Sequence, residues 1–463
     1  MTATPRITVD LLRKYDRPGP RYTSYPTAVE FASTFGPAQY VSRLEEADRT
    51  EAPLSLYTHL PFCEHRCTFC GCHVVITQDP AVVTRYLGYL HREIDMLAAH
   101  LPHRRRVSQY HWGGGTPTHL TPAEMESLHA RMTRHFTIEP DAEVAVEVDP
   151  RHTSLEQIEL LRAMGFNRLS MGVQDFDPEV QAAVDRNQTE AQTRTMYDAV
   201  RARGFGSINI DLIYGLPLQT TARFSRTVDT VIAMRPDRVA LYSYAHVPWI
   251  RAQQKWIEPK DLPSPEDKLA LFVDARDRFL AGGYVEIGMD HFALPGDELA
   301  VARDKRRLHR NFMGYTVRMG SDMVAVGISG IGDVRGAFAQ NEKKLSRYYE
   351  ILDSGRFPVE RGYALDADDR IRRETITRLM CNLWLDTGEI EREFSIDFAS
   401  YFAAELAELT RPDGPVEHGF VAVEPGHLEV TGLGRFFVRN VAMSFDRYLK
   451  SRSGDKPVFS RTV

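Results

Sequence analysis

From about residue 53 onward, short runs of apolar and β-branched residues alternate with longer stretches whose apolar positions recur at helical spacing. The runs Leu54 to His59, Val107 to Trp112, Glu143 to Val148, Arg168 to Val173, Ser207 to Tyr214 and Arg238 to Tyr244 read as strands. Between them Asp79 to His100, Pro122 to His135, Ser154 to Met164, Glu190 to Arg203 and Thr221 to Met234 read as helices. Thr121 caps the second of these, with Pro122 at the first helical position. Six strand-then-helix units, each about 30 residues or a little more, predict an α/β fold with a parallel sheet curved toward a barrel. Eight units close such a barrel, so six predict a partial β/α barrel, open on one side. A helix at Pro265 to Ala281 and a strand-like stretch at Tyr284 to Met289 extend the unit, which is expected to span residues 51–355.

The rhythm is absent at both ends. Residues 1–50 contain Arg17-Pro18-Gly19-Pro20-Arg21-Tyr22-Thr23-Ser24-Tyr25-Pro26, whose prolines and glycine forbid a continuous helix and predict an extended N-terminal arm. Such an arm can be a plain strap, or a cover whose Arg17 and Arg21 meet acidic groups. Residues 356–463 read as a mainly helical C-terminal domain: helices at Asp366 to Leu385 and Ser395 to Leu409, a hairpin at Val421 to Val430 around Pro425-Gly426, and a helix at Gly434 to Leu449. That order is winged-helix-like, but the segment lacks the dense Lys/Arg stripe of a nucleic-acid reader.

Composition narrows the classes. With 463 residues, 43% hydrophobic, 26% charged and a formal net charge of -6, the chain can bury one large core and a smaller one, and no nucleic-acid partner is expected. No apolar run reaches the roughly 20 residues of a membrane span, and Met1 to Arg13 lacks a secretory apolar core, so a cytoplasmic enzyme is expected. Four of the five cysteines crowd into Cys63 to Cys72, which is a metal pattern and no disulfide framework. Cys381, in an apolar helical setting, reads as an inert core thiol.

The cluster Cys63-Glu64-His65-Arg66-Cys67-Thr68-Phe69-Cys70-Gly71-Cys72 follows the first strand. Its C-x3-C-x2-C spacing brings three thiolates within reach of one cubane 4Fe-4S cluster, leaving one iron without a protein ligand. The amino and carboxylate groups at the methionine end of S-adenosylmethionine can chelate that open iron. A zinc site completed by Cys72, His65 or His73 is the competing reading. Other chemistry-bearing residues fall at the C-terminal ends of the strands, where α/β barrels build their sites. They are Gly113-Gly114-Gly115-Thr116-Pro117, Glu147, Gln174, Asp211 and Ala245-His246. Triple glycine admits close backbone approach without the Lys-Ser/Thr of a phosphate loop. Glu147 and Asp211 would be costly inside a barrel mouth unless they bind ribose hydroxyls or an ammonium group, and Arg186 can pair with a carboxylate.

These motifs carry a family resemblance. Phe69 before the last cysteine, Gly-Pro-Arg-Tyr-Thr-Ser-Tyr-Pro-Thr at 19–27, Cys70-Gly71-Cys72, His111-Trp112-Gly113-Gly114-Gly115-Thr116-Pro117-Thr118, Glu147-Val148-Asp149-Pro150, Gly172-Val173-Gln174-Asp175 and Gly288-Met289-Asp290-His291-Phe292 resemble the oxygen-independent coproporphyrinogen III oxidases (dehydrogenases) of the radical S-adenosylmethionine superfamily. The resemblance runs from Tyr15 to Arg461. It implies an oxidoreductase of porphyrin and haem biosynthesis that converts two propionates of coproporphyrinogen III to vinyl groups through a 5'-deoxyadenosyl radical, giving protoporphyrinogen IX. It implies Cys63, Cys67 and Cys70 as the cluster ligands. One S-adenosylmethionine would then touch Tyr57, Gly114 and Glu147, and a second Phe69, Gly115, Thr116, Gln174, Arg186, Asp211, Ala245 and Ile331. Met313 stands where the family is expected to carry Gln, which puts the pose of the second molecule in question. An electron donor such as flavodoxin or ferredoxin and a monomeric state are further expectations, and Arg17, Arg21, Arg306, Arg307 and Arg310 are candidates for the substrate carboxylates. Two other readings stay open, a haem-binding, trafficking or modifying relative and a zinc-stabilised binding protein.

Overall fold

The computed structural model describes residues 8–318, 322–451 and 459–462. The first seven residues of the expected arm, and with them most of the segment examined for a secretory signal, lie outside the described residues, as do 452–458 of the expected C-terminal domain.

All six anticipated strands form: β1 (Leu54–Leu60), β2 (Arg106–Gly114), β3 (Thr137–Val148), β4 (Arg168–Gln174), β5 (Ser207–Tyr214) and β6 (Arg238–Ser243). The helix at Pro122 begins at the cap expected for it, and the other four are capped in the same way. Asp79, Thr121, Ser154, Thr189 and Thr220 each accept a backbone N–H of the first turn, satisfying donors that the helix itself cannot. The strands β1 to β6 pair in parallel and in sequence order. Their buried outer faces carry Tyr110, Trp112, Val146, Ile208, Ile210 and Leu241 into one core beneath the helices.

The sheet is wider than the sequence pattern indicates. After β7 (Val285–Glu286) and β8 (His291–Ala293), four further strands follow, β9 (Met323–Val326), β10 (Ile331–Val334), β11 (Ala337–Asn341) and β12 (Val359–Ala364). The complete order is β12-β11-β10-β9-β1-β2-β3-β4-β5-β6-β8-β7. Strand β9 joins the other edge of β1 in parallel, and the remaining pairs are antiparallel. The expected strand at Tyr284 to Met289 is reduced to β7. Beyond it Gly288 lies so close to the Tyr315 hydroxyl that any Cβ would overlap it.

The loop after β9 is pinned by a buried carboxylate. Glu93, on helix Pro80–Ala99, accepts from Gly327 N at 2.8 Å, Asn341 Nδ2 at 2.6 Å and Tyr348 Oη at 2.5 Å. Burial pushes its carboxyl up to about 7 despite these donors.

The Pro/Gly stretch of the arm contains no helix, with Tyr22 at a left-handed φ of 47° and a bend over residues 23–26, and helices Val9–Tyr15 and Pro37–Ala47 flank it. The second has Pro37 in its first turn and buries Tyr40, Leu44 and Ala47 on one face. Tyr15, Tyr22 and Tyr25 of the arm enter the C-terminal core with Leu379, Phe402, Phe420 and Phe437. There Tyr22 Oη donates to Asp446 at 2.8 Å.

In the C-terminal region the hairpin Val421–Glu424 and His427–Val430 forms and acquires a third strand, Trp384–Asp386. The expected helix at Ser395 to Leu409 is broken. Ser395 adopts a left-handed φ of 55°, Asp397 caps a new turn at Phe398–Tyr401, and Ala403–Thr410 follows. The expected helix at Gly434 to Leu449 is likewise divided, into a 3-10 turn Gly434–Phe437 and helices Val438–Met443 and Arg447–Ser451. Among the described residues, no helix is long and apolar enough to cross a membrane.

Candidate active site

The cysteine loop leaves the C-terminal end of β1 and is tied at its neck, where Phe62–Cys63 pairs with Val75–Ile76. Its turn is closed by Cys70 N donating to Cys67 O at 3.2 Å. The far side is held by two glutamines from the segment after β6. Gln253 Nε2 donates to Cys70 O at 2.6 Å, and Gln254 Nε2 donates to both Phe69 O and Ala245 O at 3.1 Å. Backbone groups from Cys67 to Cys70 are thus paired, and the cysteine side chains line the barrel mouth.

The triple glycine at the end of β2 is the seat of this loop. Gly115 N donates to Leu60 O and Thr116 N to Phe62 O, both at 2.8 Å. A Cβ on Gly115 would stand 2.6 Å from Phe62 O, and one on Gly113 would press on the Glu147 carboxylate at 3.0 Å. Gly114 also has a φ of 121°, a conformation open to glycine.

Eleven of the fourteen anticipated site residues line one solvent-connected cavity of about 850 Å³: Cys63, Cys67, Cys70, Phe69, Gly114, Gly115, Thr116, Glu147, Gln174, Arg186 and Asp211. Three lie elsewhere. Tyr57 is half-buried beside it, stacked on His111 at 5.7 Å and hydrogen-bonded to His59 Nδ1 at 3.0 Å. Ala245 lines a neighbouring cavity with His246 and Trp249, joined to the cysteine loop through Gln254. Ile331, on β10, packs against the cluster of Phe31, Phe338 and Leu365. Met313 lines the barrel interior with Glu147 and Asp211.

The cavity is electrically asymmetric. Arg151 Nη2 and Arg186 Nη1 each stand 3.7 Å from Cys67 Sγ. Asp149 spaces them, at 2.7 Å from Arg151 and 3.3 Å from Arg186. Burial opposes the ionisation of Asp149, but the two guanidinium groups outweigh it and hold its pKa at about 2. Arg186 also donates to Gly172 O at 2.7 Å, while its Nε is buried without a partner.

The two carboxylates deeper in the mouth differ. Enclosure opposes ionisation of Glu147, but the His111 ring at 3.4 Å and the Gly114 amide at 3.0 Å outweigh it and hold the carboxyl below its usual range. Asp211 accepts from Ser170 at 3.1 Å and Asn209 at 2.7 Å, yet burial, and then the charge of Glu147, push it up to about 7. One acid thus stays charged while its neighbour holds a proton near neutrality.

These residues fit an iron–sulfur cluster. Four soft thiols, those of Cys63, Cys67, Cys70 and Cys72, line the cavity, two guanidinium groups back Cys67, as an anionic cluster requires, and Arg186 keeps an unused donor. Among the described residues no three His, Cys, Asp or Glu side chains are drawn together tightly enough for a single metal ion, whereas a cubane spreads its ligands over separate irons.

Comparison with known proteins gives the frame. The model of the radical SAM superfamily matches residues 57–231, from β1 into helix Thr221–Met234, and the HemN C-terminal domain matches residues 365–437. The oxygen-independent coproporphyrinogen III oxidase of Pseudomonas aeruginosa is 44% identical over 465 residues, covering 100% of both chains. That of Escherichia coli is 45% identical over 453 residues, covering 98% of both.

The chain belongs to the oxygen-independent coproporphyrinogen III oxidase family.

The solved structure of coproporphyrinogen III oxidase (HemN) from Escherichia coli, described as a radical SAM enzyme, agrees with a TM-score of 0.91 at 43% identity, over 96% of this chain and 100% of that one. Membership in this oxidase family implies a 4Fe-4S cluster and S-adenosylmethionine. The matched radical SAM segment contains the whole cysteine loop, Glu147, Gln174, Arg186 and Asp211. Sequence reasoning passed over Arg151, Gln253 and Gln254. Arg151 directly follows the Glu147-Val148-Asp149-Pro150 motif, which is its signal in the sequence; the glutamines act on backbone carbonyls and leave no pattern.

Proposed function

We propose that this chain carries out the oxidative decarboxylation of two propionate side chains of coproporphyrinogen III to vinyl groups, giving protoporphyrinogen IX. The observation that carries this reading is the convergence of Cys63, Cys67 and Cys70 with Glu147, Arg186 and Asp211 in one cavity at the C-terminal ends of the barrel strands. In it the three cysteines hold a 4Fe-4S cluster with one iron open to S-adenosylmethionine. When bound, that pair supplies one-electron cleavage of the sulfonium and, through it, hydrogen-atom removal at the propionate β-carbon.

The chain's own residues then bind, orient and exclude. Gly114 and Gly115 bring bare backbone next to the cysteine loop, and Glu147, held ionised, suits the cofactor's ammonium group or ribose hydroxyls. Arg186 has a free Nε–H for a carboxylate, and Asp211, protonated near neutrality, both donates and accepts. We assign a first S-adenosylmethionine to Tyr57, Gly114 and Glu147, and a second to Phe69, Gly115, Thr116, Gln174, Arg186, Asp211, Ala245 and Ile331. The offset of Ala245 and Ile331 from the cavity, with Met313 where the family is expected to carry Gln, gives this second molecule the weaker seat. No side chain is required for proton relay in the abstraction step.

The remaining parts of the proposal are a cytoplasmic monomer, reduced by a donor such as flavodoxin or ferredoxin, built from an arm at 1–50, a barrel at 51–355 and a mainly helical unit at 356–463. The test is anaerobic conversion of coproporphyrinogen III by reconstituted protein with S-adenosylmethionine and reductant. Vinyl product is expected; cluster-loaded protein that cleaves S-adenosylmethionine yet yields no vinyl product overturns the substrate assignment.

A further inference from the structure

Where arm, barrel and C-terminal region meet, cations outnumber carboxylates. A solvent-connected pocket of about 730 Å³, open solvent included, is lined by Arg21, Lys268, Arg435, Arg439 and Arg461, with Glu286 and Asp290 as its only acids among the described residues. Arg21 is paired with Asp290, Arg435 with Glu286 and Arg461 with Asp16. Lys268 and Arg439 have no carboxylate partner among the described residues. Lys268 Nζ donates to Tyr244 O at 2.9 Å, and Arg439 donates to the carbonyls of Gly19, Pro20 and Arg461. Arg310 adds a further charge beside them. Its Nη1 donates to Arg21 O at 3.1 Å and its guanidinium stands 5.0 Å from the Tyr315 ring centre, while its Nε is buried without a partner.

Cations buried without a counter-charge, as Arg439 is, are costly unless an anion joins them. The strain is visible in the groups themselves. Burial, then the charges of Arg21, Arg439 and Arg461, lower Lys268 to about 8 against the pull of Asp16; burial and Arg21 lower Arg439 to about 9. The rest of the wall is apolar, with Leu269, Phe272, Met289 and Phe436. A ligand that suits both surfaces has carboxylates on short arms attached to a large apolar ring. The cavity also abuts the barrel interior, since Arg21 stands 5.9 Å from the ring centre of Tyr242, which lines that interior with Glu147 and Asp211.

We propose that this junction cavity is a carboxylate subsite that seats a propionate arm of the tetrapyrrole substrate, with Lys268 and Arg439 as its ion partners and Arg310 on the barrel side. The inference rests on the coproporphyrinogen reading above. Of the arginines considered from the sequence for this role, Arg21 and Arg310 are at the junction, whereas Arg17, Arg306 and Arg307 are exposed and Arg306 lies over the Trp384 ring at 3.6 Å.

The test uses coproporphyrin III, the air-stable oxidised ring with the same four propionates, titrated into the full-length protein by fluorescence. Wild type binds, and more weakly as salt rises. Lys268→Met retains the apolar stem and removes the charge; Arg310→Gln removes the guanidinium. Each is expected to weaken binding about tenfold and flatten the salt dependence, with S-adenosylmethionine affinity unchanged. Lys268→Arg is expected to restore binding. Wild-type porphyrin affinity and salt dependence in Lys268→Met and Arg310→Gln, with substrate still converted by wild type, overturns the subsite and leaves the activity standing. Lost S-adenosylmethionine affinity in both variants overturns it in favour of a cofactor site. Wild type that neither binds the porphyrin nor converts coproporphyrinogen III removes both. Where melting shows that Lys268→Met is unfolded, Arg310→Gln decides alone.

Discussion

Gly115→Ala isolates the contact between the triple glycine and the cysteine loop. The added methyl would stand 2.6 Å from Phe62 O and 2.7 Å from Pro61 C and O, where ordinary contact begins at 3.4 Å, so the two segments must part by about 0.8 Å. Phe62 cannot simply yield, because its ring is fully buried and packs edge-on against Tyr86 at 5.3 Å. Separation stretches Gly115 N to Leu60 O, Thr116 N to Phe62 O and Val75 N to Pro61 O, bonds of 2.8, 2.8 and 2.7 Å. At about 1 kcal/mol net each, with about 1–3 kcal/mol for overpacking, the loss is about 4–6 kcal/mol. Urea unfolding of the full-length apoprotein measures it, and iron content after anaerobic reconstitution reports whether Cys63 has moved with Phe62. Gly88→Ala is the control: in the interior of helix Pro80–Ala99, with nothing within 4 Å of the added carbon, it should stabilise by about 0.5–1 kcal/mol and load iron normally. A Gly115→Ala protein as stable as wild type and equally loaded with iron would refute the argument.

Arg186→Met should destabilise the protein by about 3 kcal/mol and lower cluster retention, since it strips Asp149 of one of two cationic partners and removes a donor from Cys67 and Gly172; denaturation and iron release under chelator check both. Glu93, raised from 4.5 to about 7 by burial, binds more protons folded than unfolded between those values, so its contribution to stability is present at low pH and is lost as pH rises through 7. The stability difference between wild type and Glu93→Gln should therefore move against wild type by on the order of 3 kcal/mol between pH 4.5 and 7; a flat difference across that range would rule the buried proton out.

The β1–β6 core and the site were legible in the sequence for the same reason. Along β3, β4 and β5 a buried apolar residue recurs at every second position, Val144, Val146 and Val148, then Leu169, Met171 and Val173, then Ile208, Ile210 and Leu212, and a parallel sheet concentrates chemistry-bearing residues at one end of its strands. The strands β9 to β12 were not legible, because they are four to six residues long and interrupted by Gly327, Gly330, Gly332 and Gly336, so no period develops. Glu93 was passed over because a glutamate within a helical pattern reads as solvated until three donors are seen around it. Lys268 and Arg439 belong to segments 171 residues apart, and only the packing of arm on barrel on C-terminal region reveals that they share a cavity in which neither has a carboxylate partner among the described residues.

The central claim is that Cys63, Cys67 and Cys70 hold a 4Fe-4S cluster with one iron left for S-adenosylmethionine. Anaerobic iron and sulfide analysis with the absorption spectrum, on wild type and Cys67→Ser, tests it most directly. The account predicts a brown wild type with four irons and four sulfides whose spectrum responds to S-adenosylmethionine, and a variant that loses the cluster. Wild type without iron and sulfide, or a Cys67→Ser protein that keeps a full, cofactor-responsive cluster, would contradict it.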